Sequence, residues 1–151
     1  VGRDEACRER SRGCGGMSPA ERRRFDELLE ALIEALPRHL QRVLEEIPVV
    51  VLDRPTAAML RDLGVARENW AEEARTLCGL HSGTMLTERS IERSGDLPTD
   101  IHLFREGIVG AAGGWEQGRD RVAEEIRITL LHEIGHHFGL DEDDLDRLGY
   151  G

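Results

Sequence analysis

The stretch 120–139, DRVAEEIRITLLHEIGHHFG, decides the fold of this chain. One amphipathic helix is predicted over it, because apolar residues recur every four positions, at Val122, Ile126, Leu130, Ile134 and Phe138. Gly139 follows the last of these residues, at the place where a left-handed glycine commonly ends a helix. We therefore expect the chain to turn back sharply after Gly139.

This helix contains an HExxH motif, His132-Glu133-Ile134-Gly135-His136. Residues four apart lie on one helical face, so the two imidazoles can bind a single metal ion. Catalytic zinc sites combine three protein ligands with one position for water, and imidazole nitrogen is a preferred ligand. We predict that His132 and His136 bind Zn²⁺ and that Glu133 is the catalytic general base. The alternative interpretation is an ordinary amphipathic helix with surface histidines.

The acidic residues after Gly139 are candidates for the third metal ligand. The expected turn brings either Asp141 or Glu142 toward the two histidines. Carboxylate oxygen is a competent zinc ligand. The residues by themselves leave both candidates open.

The segment 132–142, HEIGHHFGLDE, resembles the extended zincin pattern HExxHxxGxx(H/D). Read on through residue 150, it is similar to the small bacterial minimal zincin metallopeptidases. Looser similarity over residues 20 to 151 involves three further segments, Ile47–Asp53, Gly79–Thr84 and Leu97–Arg105. The Met-turn of metzincins is absent, since no methionine follows Met85.

The resemblance implies a zinc-dependent metallopeptidase acting on a peptide or protein substrate, with His132, His136 and Glu142 as ligands. Glu142 departs from the usual His or Asp, which keeps Asp141 as the alternative. The implied fold is α+β, a small zincin-like domain with a short twisted sheet packed against helices, including the HExxH helix. The resemblance also implies that the strand Ile101–Arg105 lies near the metal as an edge strand and pairs with extended substrate.

Two other classes of function remain as alternatives. A metal-dependent RNA hydrolase with the spacing HxxxHxxxxxH would place ligands at positions 132, 136 and 142, but Glu133 and Glu142 favour amide hydrolysis and repel phosphate. A non-catalytic zinc-binding module would use both Asp141 and Glu142 and leave no position for water.

Length and composition set broader limits. A chain of 151 residues predicts one domain, with a flexible tail over residues 1–17 and the zincin-like domain over 18–151. The net charge of −10 disfavours nucleic acid or anionic membranes as partners, and no apolar run reaches membrane-spanning length. Three cysteines, an odd number, predict a reducing cytoplasmic location. A partner protein is a further expectation, of unknown identity.

The remaining elements follow from capping and apolar patterns. Ser18, Pro19 and Glu21 predict a capped helix that runs to Leu36. We predict further helices over 38–46 and 56–64, helix or loop over 66–77, and a final helical turn over 143–148. Strands are predicted at 49–52, within 77–86 and at 101–105, although the glycines of the second weaken it. The glycine-rich segment 107–118 is predicted to be a flexible loop.

The histidines outside the motif are assigned structural roles. His137 points about 100° away from His136 around the helix, which favours packing over metal binding. His39, His81 and His102 are isolated in the sequence and are expected to be surface or core residues.

Overall fold

The computed structural model describes residues 16–82 and 100–148. These residues form seven α-helices and three β-strands, which confirms the predicted α+β class. In chain order the elements are α1 (Pro19–Ala35), α2 (Arg38–Glu46), β1 (Val49–Leu52), α3 (Ala57–Asp62), α4 (Trp70–Thr76), β2 (Gly79–Ser82), β3 (Asp100–Phe104), α5 (Arg105–Ala111), α6 (Arg119–His137) and α7 (Glu142–Leu148). Single 3₁₀ turns, Arg67–Asn69 and Trp115–Gln117, precede α4 and α6.

The predicted helix caps are present. The Ser18 hydroxyl accepts a hydrogen bond from the Glu21 backbone at 3.2 Å, and the Glu21 carboxylate accepts one from the Ser18 backbone at 2.9 Å. This reciprocal pair satisfies two of the unpaired N–H groups at the start of α1. Thr56 caps α3 in the same way, accepting from the Met59 backbone at 3.2 Å. Local sequence therefore sets where these helices begin.

The sheet has the order β1-β3-β2, with β1 parallel and β2 antiparallel to β3. The expectation that Ile101–Arg105 forms an edge strand is wrong, because β3 pairs with a neighbour on both sides. Burial agrees with this central position, since Ile101, Leu103 and Phe104 are all fully buried. β2 packs against α6. Among the described residues, β2 pairs with β3 on one side and has no strand on the other.

The glycine-rich segment 107–118 is not the predicted flexible loop. Its first part belongs to α5, which continues directly from β3 and packs on α4 and α6. Gly107 is buried, and a β-carbon there would collide with the carbonyl oxygen of Leu77. This glycine therefore permits a close helix packing, a role that composition does not distinguish from flexibility.

The hydrophobic core lies between α6, the sheet, α1 and α5. It contains most of the predicted apolar ridge of α6, together with residues of the other elements: Phe25, Leu29, Ile101, Leu103, Ile108, Val122, Ile126, Leu130 and Ile134. Phe138, the last ridge residue, is 45% exposed because α6 ends at His137. The core thus fixes one face of α6 and leaves the neighbouring HExxH face toward the rim of the domain.

An ion-pair network joins the ends of β1 and β3 to α1. The Arg105 guanidinium donates to Asp26 at 2.9 Å and to Asp53 at 3.0 Å, and Arg22 contacts Asp53 at 2.7 Å. Arg105 is largely buried, with 13% of its side chain exposed, and Asp53 is 23% exposed, so the Arg105–Asp53 pair is the part of the network best shielded from solvent. The network holds the carboxyl ends of two parallel strands against one helix.

Other predictions concern the ends of the domain. Of the tail predicted over residues 1–17, only Gly16 and Met17 are described, and Met17 is buried. The part of the second predicted strand after Ser82 lies outside the described residues. Within the described part of the chain, none of the helices has the length and apolarity needed to cross a membrane.

Candidate metal centre

Three side chains converge at the C-terminal end of α6. The Nε2 atoms of His132 and His136, one turn apart on α6, are separated by 2.9 Å. The Oε1 atom of Glu142, the first residue of α7, lies 2.9 Å from Nε2 of His136 and 3.5 Å from Nε2 of His132. The structure thus brings together the two histidines and the carboxylate that the zincin pattern assigned to the metal.

The spacing of these atoms suits a tetrahedral ion. Ligands bound at zinc–nitrogen and zinc–oxygen distances lie about 3.3 Å from one another in a tetrahedron. The three separations, 2.9, 2.9 and 3.5 Å, bracket that value. Two imidazoles with one carboxylate are also a ligand set used by catalytic zinc sites. The residues present therefore fit Zn²⁺.

The end of α6 orients one of the imidazoles. Gly139 has φ +84°, and it and Leu140 return hydrogen bonds of 3.0 Å to the carbonyls of His136 and Gly135, which is the pattern of a Schellman motif. This turn places the Leu140 carbonyl oxygen 3.1 Å from Nδ1 of His136. Since a carbonyl only accepts, Nδ1 carries the hydrogen, and the lone pair of Nε2 is left for a metal.

Asp141 and Glu142 have different partners. The Asp141 carboxylate accepts a hydrogen bond from the Asp144 backbone at 2.8 Å, and Asp144 accepts one from the Asp141 backbone at 3.3 Å. Asp141 is thus engaged at the start of α7, whereas Glu142 faces the histidines. The geometry favours Glu142 over Asp141 as the third ligand.

Glu133 is buried beside this cluster, with 6% of its surface exposed. Its pKa is raised from 4.5 to about 7, mainly by burial and to a smaller extent by the nearby charge of Glu142. His132 and a hydrogen bond from the His81 backbone act in the opposite direction. The carboxyl group therefore exchanges a proton near neutral pH, as a general base requires.

Gly79 in β2 makes room for Glu133, a role that was not predicted from the sequence. A β-carbon on Gly79 would lie 2.9 Å from the Thr129 methyl group and 3.0 Å from Oε1 of Glu133, closer than such contacts normally come. The strand backbone and α6 can approach only because this side chain is missing. A glycine inside a strand can mark a close backbone approach as well as a weak strand, and here it marks the close approach.

His137 faces the interior, as expected for a packing residue. It is 4% exposed, and its Nδ1 lies 3.4 Å from Nε2 of His81 on β2. The two rings meet edge to face with centroids 5.5 Å apart. His137 therefore contributes to the contact between α6 and β2, away from the His132–His136 pair.

A sequence model of zincin-like metallopeptidases matches residues 44–151. The match covers well over half of the chain and includes all four residues of the candidate centre. This chain belongs to the zincin-like metallopeptidase family. Membership confirms the resemblance found in the sequence, and zincin-like metallopeptidases characteristically use a metal, typically zinc. No curated protein matches the chain.

The zincin-like match begins at Leu44, near the end of α2. It therefore contains the sheet, α6 and the candidate metal centre, while α1 lies outside it. Phe25 and Leu29 of α1 nevertheless belong to the core against which α6 packs. In this zincin-like chain the helix that precedes the family match also supports the helix that carries HExxH.

Proposed function

We propose that this chain is a zinc-dependent peptidase in which His132, His136 and Glu142 hold Zn²⁺ and Glu133 is the general base. The single observation that carries the proposal is the convergence of two Nε2 atoms and one carboxylate oxygen beside a buried glutamate. Membership in the zincin-like metallopeptidase family supports the same chemistry.

Zn²⁺, when bound, supplies Lewis acidity that polarises a peptide carbonyl and makes water a stronger acid. In our proposal Glu133 removes a proton from the attacking water and delivers it to the departing amine. Burial raises the pKa of Glu133, which strengthens its affinity for that proton. The His81 backbone hydrogen bond holds the Glu133 carboxylate in place while it exchanges the proton.

The hydrogen-bond partners of the acidic residues after Gly139 support a metal site with one position left free. A non-catalytic zinc module would close the fourth position with a second carboxylate. The nearest candidate, Asp141, is instead hydrogen-bonded to the start of α7. We infer that the fourth position is left for water and substrate.

We assign the extended substrate to β2, the strand whose backbone borders Glu133. The His81 N–H is directed to Glu133, which indicates that the outer edge of β2 faces the metal-binding cluster. Strand addition through the other outward backbone groups of this edge, with the His81 N–H kept on Glu133, would place a peptide beside the general base. N-methylation of single amides in a cleaved peptide should slow cleavage at alternate positions only. Equal cleavage of all the methylated peptides would rule this assignment out.

The proposal is tested by measuring metal content and peptide hydrolysis together. We expect one zinc per chain, loss of zinc in His136→Ala, and full zinc but no hydrolysis in Glu133→Gln. Glu124→Gln, at an exposed position of the same helix, is the matched control and should resemble the wild type. Hydrolysis that survives in Glu133→Gln would overturn the role of Glu133, and RNA cleavage by that variant would favour an RNA hydrolase.

A further inference from the structure

A cleft of about 280 Å³ opens beside the candidate metal centre, between α6 and the chain that leads into β2. His132 and Glu133 line it, and so does Glu125, which lies two helical turns before His132 on the same helix. This separation along α6 is roughly 10 Å. The walls between these charged residues are mainly apolar and are formed by Leu77, Cys78, Ile128 and Thr129.

The end of this cleft away from His132 carries the Glu125 carboxylate. Among the described residues, no arginine or histidine forms an ion pair with Glu125, and the nearby Arg127 pairs with Glu124 at 3.3 Å. The Thr129 hydroxyl is also unavailable to the Glu125 carboxylate, because it donates to the Glu125 backbone carbonyl at 2.8 Å. Partial burial of Glu125 in an apolar-walled cleft leaves a carboxylate that gains from a cationic ligand.

Cys78 lies in the wall of the same cleft. Burial, together with smaller contributions from the charges of Glu125 and Glu133, raises the pKa of the Cys78 thiol to about 11. The thiol is therefore neutral at physiological pH and contributes no charge of its own. A cation in the cleft would therefore contact the Glu125 carboxylate beside an uncharged wall.

We propose that this cleft binds a lysine or arginine side chain of the substrate next to the scissile bond, with Glu125 determining that specificity. This inference rests on the proposed peptidase function. A long side chain suits the distance between the ligand pair and Glu125, with its aliphatic stem along Leu77 and Ile128 and its charged end at the carboxylate. An acidic substrate side chain would be repelled at the same place.

Peptides that differ only at the two positions flanking the cleaved bond test this specificity. At one of those positions, we expect Arg or Lys to give kcat/KM about tenfold or more above Leu, and Glu to give the slowest cleavage. Glu125→Gln should remove the preference, and Glu125→Arg should reverse it in favour of Glu. Glu124→Gln should keep the wild-type preference.

Binding gives a readout that does not depend on turnover. In the zinc-loaded Glu133→Gln protein, fluorescence anisotropy should show tighter binding of the Arg peptide than of the Leu peptide, and Glu125→Gln in that background should equalise them. If the wild type cuts no peptide but this binding difference is present, the proposed peptidase activity fails while the cationic subsite stands. Equal binding of both peptides, or a preference unchanged by Glu125→Gln, overturns the subsite.

Discussion

Nδ1 of His136 donates a hydrogen bond to the carbonyl oxygen of Leu140 at 3.1 Å. This contact depends on the left-handed conformation of Gly139, which reverses the chain two residues after the end of α6. The same reversal delivers Glu142 to the two histidines. One turn therefore orients one proposed ligand and supplies another.

Replacing this glycine should weaken metal binding. Gly139→Ala forces a β-carbon into the left-handed region, at a cost of about 1 to 2 kcal/mol. Loss of the Leu140 contact should lower zinc affinity by about tenfold or more. Chelator competition and thermal unfolding measure the two effects. Gly110→Ala is the control, because Gly110 is helical with open space around it and should lose neither stability nor zinc. Unchanged zinc affinity in Gly139→Ala would contradict the role of the turn.

The identity of the third ligand can be tested with neighbouring acidic residues. Glu142→Ala should lower zinc affinity by more than about 100-fold, since loss of an outer partner alone costs 10- to 100-fold. Asp143→Asn, one position away and exposed, should bind zinc normally. Isothermal titration with Zn²⁺ measures both variants. If Asp141→Asn lost zinc while Glu142→Ala retained it, Asp141 would be the ligand.

The close approach of β2 to α6 predicts a selective defect in turnover. In Gly79→Ala the new β-carbon displaces Glu133 or Thr129, whereas the histidines are not among its nearest contacts. We expect kcat to fall about 10- to 100-fold, the usual effect of a small misplacement of a catalytic group, with full zinc occupancy. Measuring peptide hydrolysis and zinc content on the same sample separates a loss of turnover from a loss of metal. Equal turnover in Gly79→Ala and Gly110→Ala would show that this glycine does not position Glu133.

The raised pKa of Glu133 predicts how the stability of the metal-free protein depends on pH. The folded state holds this proton more tightly than the unfolded state, so Glu133 lowers the free energy of unfolding as pH rises from about 4.5 to about 7. The free energy of unfolding of Glu133→Gln should equal that of the wild type below this pH window. Above the window it should be higher, by on the order of 2 to 3 kcal/mol. Urea unfolding in chelator at pH 4.5, 6 and 8 measures the gap. A gap that does not change with pH would contradict the shift.

Asp53 predicts the opposite pH dependence. Its burial raises the pKa, but hydrogen bonds from Arg22 and Arg105 outweigh that effect and the net pKa lies below the usual value of 3.8. The stability it contributes is therefore complete above about pH 4 and is lost as pH falls through the lowered pKa. Asp53→Asn should cost about 1 to 2 kcal/mol at pH 7 and less at pH 3. Urea unfolding at both pH values, with exposed Asp62→Asn as control, tests this expectation.

Local features of the sequence predicted much of the fold and most of the site. The four-residue apolar spacing of α6 and the cap at Ser18 act between neighbours along the chain, and the described elements follow them. The His132–His136 pair is also local, because one helical turn alone brings the two imidazoles together. The candidate third ligand could be narrowed from the sequence only to Asp141 or Glu142. Which of these side chains faces the histidines depends on the hydrogen bonds at the start of α7.

The incorrect predictions all concern contacts between distant parts of the chain. Alternating apolar residues predict that β3 is a strand, but they do not identify the strands that pair with it. Its central position is seen only in the strand order of the folded sheet. The composition of 107–118 suggested flexibility, while Gly107 serves a packing contact with Leu77.

The sequence by itself determined the helix that carries HExxH, the placing of His132 and His136 on one of its faces and the turn that follows it, because these depend on spacings of a few residues. Only the tertiary structure decided that β2 borders the centre, that Gly79 admits Glu133, and that Leu77 and Cys78 form a cleft with Glu125 and His132. Those relationships join residues about 50 positions apart in the chain or separate faces of packed elements. These relationships arise when the helices and the sheet pack together to bury a common core. Patterns of a few neighbouring residues do not specify that packing.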